Sequence, residues 1–467
     1  MKFLKPFSSC RIKIESLWWL VLFAILLLFH LNHPIDSDEG VILEGAWKLW
    51  NKKRLYTDFF EFVPPGGFYF VYWIWKIFGV GYFAPKIASI IIIFLSGAGI
   101  FKISGLLKKT AFNYLPPLIF VFLSMYWPLI NHNTYNIFFI IWSVYFFIRA
   151  LISGSKNHYA LAGLAAGISV LFLQQKGAIL IISSFALLVL FSLLYRKLDY
   201  LKMSLYYGLS FLPPLLILLK WPLDLIYKNL AIFPLANGAE INKLPLNFFF
   251  LALFMIAAIF TAYISLEKFS LPIKYLAGIQ AALFATTLVR PDLNHINLVI
   301  FPALCLIPSV FSNPILFNST KSIIGAASLS AASILLCVSV FPLANFLIFT
   351  PSFLFSNESA VINYIRKNCQ DPGNYLYAGP FLPGLYFETG MMNPTPYSFL
   401  ITNHQTESQF AEARNILAKV RPRCAILNYS MVEGFRYNQN NPVDSFIRNN
   451  YHQVFRERNA LVYKINE

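Results

Sequence analysis

Long apolar runs alternate with short polar connections along most of the chain. Stretches approaching the roughly 20 apolar residues that cross a bilayer as a helix recur from Leu17 to about Thr350. They place candidate spans at about 17–31, 83–107, 111–130, 136–153, 159–173, 177–195, 203–220, 247–266, 274–289, 296–312 and 321–349. A further run at 67–79, FYFVYWIWKIFG, is shorter and dense in aromatic residues. After Pro351 the pattern changes. ESAVINYIRKN has helical spacing, NYLYAG and CAILNYS read as short strands, and VDSFIRNN precedes ALVYKI. The expected architecture is a polytopic all-α membrane module over 1–350 and a small α/β domain over 351–467, large enough for its own core.

Charge orients the spans. If 67–79 does not cross, the basic N-terminus, Lys108 with Lys109, Arg149 with Lys156, Arg196 with Lys197 and Lys202, Lys268 with Lys274, and Lys321 share one side. The positive-inside rule makes that side cytoplasmic and favours about 11 spans. The 67–79 run is then an aromatic segment at the interface, where Tyr and Trp favour that depth. The first span has no small-residue cleavage site after it and reads as a retained anchor. The tail and four polar features fall on the outer side: the loop at 32–66, NHNTYN at 131–136, LQQKG at 173–177 and RPDLNH at 290–295. Asp224 and Glu240 in the 221–246 loop join them.

Composition agrees. Of 467 residues 57% are hydrophobic and 12% charged, a balance no soluble core of this length needs. The net charge of +16 sits in short connections, so it implies membrane lipids as neighbours and no nucleic-acid partner. Cys10, Cys305 and Cys337 are scattered, whereas Cys369 and Cys424 share the polar tail and could pair only in an extracytoplasmic setting.

The chemistry concentrates in the first outer loop, HPIDSDEGVILEGAWKLWNKKRLYTDFFEFVPPGG, with Asp36, Asp38, Glu39, Glu44, Asp58 and Glu61. A carboxylate capping the following helix explains one of Asp36, Asp38 and Glu39, but not three. That helix, whose apolar residues Val41, Leu43 or Ala46, Trp47 and Trp50 recur at helical spacing, suits a position in the headgroup layer. Pro64-Pro65-Gly66-Gly67 turns the chain back. Lys176 and the Arg290, Asp292, His295 group stand at outer span ends. Singly they read as snorkelling or capping residues; together they offer charge to a phosphate leaving group, with Asp292 orienting Arg290 or His295. His132 is a weaker candidate. No zinc spacing, P-loop, nucleophile elbow or nucleotide fingerprint occurs. No cofactor is required; a divalent metal on Asp36, Asp38 or Glu39 is compatible with their oxygen ligands.

The order of an anchor, an Asp-Glu pair early in an outer loop, YTDFFEFVPPGGFYF, an outer QKG and a late RPDLNHINLVIFP resembles the GT-C membrane glycosyltransferases. It is most similar to bacterial and archaeal relatives of the protein O-mannosyltransferase and aminoarabinose transferase families (glycosyltransferase family 39-like). The resemblance implies inverting transfer of a sugar from a polyprenyl-phosphate donor to an extracytoplasmic lipid, glycan or protein acceptor, at the plasma membrane. By matching positions it implies Asp38 as base, Glu39 as its partner, and Asp36, Asp58, Lys176, Arg290, Asp292 and His295 in substrate binding. Many relatives have Lys before the Pro-Pro pair, where this chain has Val63, which shifts phosphate binding to Lys53, Arg54, Lys176 or Arg290. Two other readings stand beside it. A transporter or flippase of lipid-linked saccharides usually carries charge within its spans and related halves, and neither is evident here. A catalytically inactive envelope scaffold is favoured only by Val63.

Overall fold

The computed structural model describes residues 5–31, 33–126, 129–237, 245–313 and 359–466, with part of 330–345. The 321–349 run lies largely outside these residues, as does Glu240.

The membrane module runs through α1 (Lys5–Leu31), α2 (Ser37–Trp50), α3 (Gly66–Phe78), α4 (Phe83–Leu107), α5 (Leu115–Ser124), α6 (His132–Ser153), α7 (Lys156–Val170), α8 (Gln174–Tyr195) and α9 (Leu198–Leu215). Asn247–Leu266, Leu271–Ala285 and Leu293–Val299 follow. Among the described residues six helices are long and apolar enough to cross a membrane, and Leu293–Val299 with Phe301–Phe311, bent by 50°, reach that length and apolarity only when taken together. The chain is a multi-pass membrane protein.

Several expected spans are modified. The 111–130 run is helical only to Ser124. The 296–312 run breaks after Val299, and the next helix has proline in its first turn, a position that suits a helix start and removes an interior hydrogen bond. The 67–79 run is a helix of 13 residues, about 20 Å long and too short to cross.

The helix after the first acids corrects an expectation. Instead of lying on the headgroup layer, α2 is largely buried, packed against α3 on one side and the tail on the other. Gly40 permits the close approach: a Cβ there would stand 2.5 Å from the backbone nitrogen of Gly384. Ile42 and Leu43 are almost completely enclosed, each such side chain contributing about 1.5–3 kcal/mol.

The tail forms a four-stranded sheet in the order β1-β2-β4-β3: β1 (Leu376–Gly379), β2 (Cys424–Leu427), β3 (Tyr451–Glu457) and β4 (Ala460–Ile465). β1 and β2 are parallel; β4 runs antiparallel to β2 and β3. The helix Ala360–Asn368 matches the helical pattern of ESAVINYIRKN; the helix Pro442–Asn450 and β3 were not assigned from the sequence. Cys369 and Cys424 form a disulfide with Cα atoms 5.4 Å apart. The segment 381–398 is tied to the first loop. Ser37 Oγ donates to the Phe381 carbonyl, Trp47 Nε1 to the Met391 carbonyl, Asn393 Nδ2 to Glu44, and Ser398 Oγ to Glu61.

Candidate active site

Four helix starts meet around a cavity of about 430 Å³. α2 brings Ser37 and Asp38, α6 brings His132 and Asn133, α8 brings Gln174 and Lys176, and Leu293–Val299 brings His295, with Arg290 just before it. The amide ends of helices carry partial positive charge, so their convergence favours an anion in the space between them.

Asp36 caps α2 by accepting from the Asp38 amide at 2.8 Å, and both acids line the cavity. Burial pushes the Asp38 carboxyl up to about 6, the neighbouring Asp36 charge adding to the shift and Arg290 opposing it. Asp38 is thus ionised near neutrality yet basic enough to accept a proton.

Lys176, only 5% exposed, donates to Asn133 Oδ1 at 3.0 Å. Asp292 caps the Leu293–Val299 helix and orients two neighbours: Oδ1 accepts from the His295 amide at 2.8 Å and lies 2.7 Å from His295 Nδ1. Its Oδ2 accepts from Arg290 Nε at 2.8 Å, while 40% of the Arg290 side chain stays exposed. Asp292 does not itself line the cavity; Arg290 and His295 do.

Glu39 points elsewhere. It is wholly buried, 2.5 Å from Lys86 Nζ, and it accepts from the Tyr82 hydroxyl and the amides of Leu129 and Ile130. Asp58 is bound to Arg54 at an exposed turn, with bonds of 2.7 Å from the Arg54 amide and 3.0 Å from its guanidinium. Neither Glu39 nor Asp58 lines the cavity, and neither Lys53 nor Arg54 reaches it. Val63 does line it, and its carbonyl accepts from the Tyr56 hydroxyl at 2.7 Å. Asp224 stays outside, an exposed residue 3.9 Å from Lys228. Among the described residues no three His, Cys, Asp or Glu side chains gather as a metal site.

Other lining residues had no role assigned from the sequence. Glu61, 1% exposed, accepts from Ser398, and burial pushes its carboxyl up to about 8. The available signal was a lone acid inside the apolar run FFEFV, which burial makes costly unless it is hydrogen-bonded or neutral. The tail adds a roof of Phe381, Phe399, Ile401 and His404. The His404 ring centroid lies 5.0, 5.4 and 5.7 Å from those of Phe62, Phe233 and Phe399.

A model of the family described as dolichyl-phosphate-mannose-protein mannosyltransferase matches residues 63–221. ArnT from Cupriavidus metallidurans in the apo state is 12% identical, with a TM-score of 0.62 and 98% of each chain covered. The same protein bound to undecaprenyl phosphate gives a TM-score of 0.59 at 11% identity, again with 98% of each chain covered. The chain has the GT-C fold. The oligosaccharyltransferase AglB of Archaeoglobus fulgidus, in complex with an inhibitory peptide and a dolichol-phosphate, is a more distant GT-C neighbour. It is 10% identical, with a TM-score of 0.55 over 98% of this chain and 75% of that one. No curated protein matches in sequence. In this GT-C chain the first loop, the starts of α6 and α8, the Leu293–Val299 helix and the tail jointly line the candidate site.

Proposed function

We propose that the chain is an inverting glycosyltransferase that moves a sugar from a polyprenyl-phosphate donor to an extracytoplasmic acceptor. The observation carrying this reading is the shared cavity: Asp38 lies on one wall, with Lys176 and Arg290 completing the enclosure. The lipid phosphates in the ArnT and AglB structures support the donor class.

Asp38 takes the proton of the acceptor hydroxyl as its oxygen attacks the anomeric carbon from the face opposite the carrier. The bond from that carbon to the carrier phosphate oxygen breaks, and the new glycosidic bond has inverted configuration. Negative charge passes to the phosphate, where Lys176, Arg290 and the helix starts stabilise it. His295 is held by Asp292 to hydrogen-bond donor or phosphate. Asp36 contributes its cap and negative charge beside the base. Glu39, assigned by resemblance as partner of the base, acts in this reading by fixing α2. Asp58 shapes the loop through Arg54.

The helix Leu293–Val299 joins the site to a second, apolar cavity of about 230 Å³ that includes Phe248, Met255, Ile256, Ile296 and Ile300. That cavity supplies a groove for isoprenoid units. The Cys369–Cys424 disulfide supports placing the tail on the oxidising, outer side. No metal ion is required; a divalent ion at Asp36 and Asp38 would be an additional partner of the donor phosphate. The acceptor hydroxyl belongs to a lipid, a glycan or a protein.

The test is mass spectrometry of envelope lipids, glycans and proteins with and without the chain, followed by assay of purified protein with the donor so identified. A new glycosidic product supports the proposal. Movement of a lipid-linked saccharide across proteoliposomes with no such product would replace it with the transporter reading.

A further inference from the structure

A second large cavity lies away from the candidate site, near the far end of α4. It measures about 820 Å³ and is bounded by α1, the end of α4, the turn before α5 and α6. α4 begins beside Lys86 and the Glu39 ion pair and runs for 25 residues, so its other end stands roughly 35 Å away.

Two features give this cavity a chemistry. Its walls are aromatic. Trp18 and Tyr114 have ring centroids 4.9 Å apart, Phe101 and Tyr114 5.0 Å, and Tyr145 stands nearby under the Arg149 guanidinium, whose centre is 5.9 Å from the ring. Such rings prefer the depth where acyl chains meet headgroups. Its charge is basic. Lys102 and Lys109 line it, and among the described residues neither ammonium group has a hydrogen-bond or ion-pair partner. Adjacent Lys108 is instead occupied by Glu267 at 2.6 Å. Glu15 at the rim leaves two lysines against one carboxylate. This is the end of the bundle that the basic loops assign to the cytoplasmic leaflet, where anionic lipids attract juxtamembrane lysines.

We propose that the cavity binds the headgroup of an anionic phospholipid, with the phosphodiester between Lys102 and Lys109 and the upper acyl chains against Trp18, Phe101 and Tyr114. A phosphodiester supplies the acceptor oxygens that both ammonium groups lack, and the aromatic wall fits only a ligand with an attached apolar part. The site is independent of sugar transfer, so its test does not depend on the donor or acceptor.

The full chain is reconstituted in nanodiscs of phosphatidylcholine with or without phosphatidylglycerol. Lipid retained after transfer to detergent is counted by native mass spectrometry. Unaltered protein should retain phosphatidylglycerol in preference to phosphatidylcholine. Lys102→Gln and Lys109→Gln, both at exposed positions, should each weaken retention roughly fivefold and together about thirtyfold. Lys202→Gln, on a different connection, should change nothing. Equal retention by the double variant, an equal loss in Lys202→Gln, or no preference for the anionic lipid would overturn the proposal. Displacement of the lipid by inorganic phosphate at matched concentration would also overturn it, leaving a free-anion site.

Discussion

Glu39 Oε1 and Lys86 Nζ lie 2.5 Å apart in an ion pair that solvent does not reach. The pair pins the first turn of α2 to the start of α4 and sits directly behind the acids that face the cavity. Removing one partner leaves the other charge buried and uncompensated, which costs about 3–5 kcal/mol. Glu39→Ala should therefore lower thermal stability and yield in detergent far more than Asp38→Asn does. Pairing Glu39→Leu with Lys86→Met should restore much of the loss, read by thermal unfolding. Wild-type stability in Glu39→Ala would give Glu39 a different role.

Glu61 makes stability depend on pH. Burial raises its carboxyl from 4.5 to about 8 in the folded chain, so the folded state binds a proton more tightly than the unfolded one. This contribution is fully present below about pH 4.5, fades as pH rises and is gone above about 8. Glu61→Gln keeps an acceptor for Ser398 and cannot ionise. It should flatten the fall in melting temperature between pH 5 and 9; an unchanged slope would place the titrating group elsewhere.

The tail should depend on its disulfide. Cys369 and Cys424 are separated by 55 residues, a loop whose closure corresponds to about 4 kcal/mol of chain entropy in the unfolded state. Cys369→Ser with Cys424→Ser should lower the tail's unfolding midpoint. Because Phe381, Phe399, Ile401 and His404 of the tail roof the candidate site, transfer should fall along with it. Thermal unfolding with and without reductant measures the first effect, and a product assay the second.

Lys176 and Arg290 should act on the donor side. Lys176→Met and Arg290→Met should each reduce transfer by at least about a hundredfold, in the range seen when one charge-stabilising group is lost. Arg290→Lys should recover only part, since a point charge cannot reproduce a guanidinium fork held by Asp292. Steady-state assay over a range of donor concentrations separates binding from turnover.

The membrane module, the helical and strand patterns of the tail and the gathering of Asp36, Asp38, Lys176, Arg290 and His295 were legible because they follow from local pattern and loop charge. Glu39 was misdirected for a geometric reason. Each step along a helix turns the side chain by about 100°, and at Glu39 that turn meets Lys86, Tyr82 and the Leu129 and Ile130 amides, partners that only the fold brings together. Asp58 was drawn away by Arg54, four positions earlier, a contact the sequence allows but does not require. The roof of Phe381, Phe399 and His404 had no local signature, because it depends on docking segments more than 300 residues apart, as in the Ser37 to Phe381 bond. The burial of α2 was missed for the same reason: the tail covers the face that its amphipathic pattern offered to the membrane.

The most direct measurement is the rate of sugar transfer by Asp38→Asn in purified, folded protein across pH. With the Asp38 carboxyl at about 6, the kcat/KM of unaltered protein should rise with pH through that value, because the ionised form is the base. Asp38→Asn should lose at least about a hundredfold, the usual share of a general base, keep its melting temperature and lose that limb of the profile. A fully active, normally folded Asp38→Asn protein would contradict the assignment of Asp38 as the base.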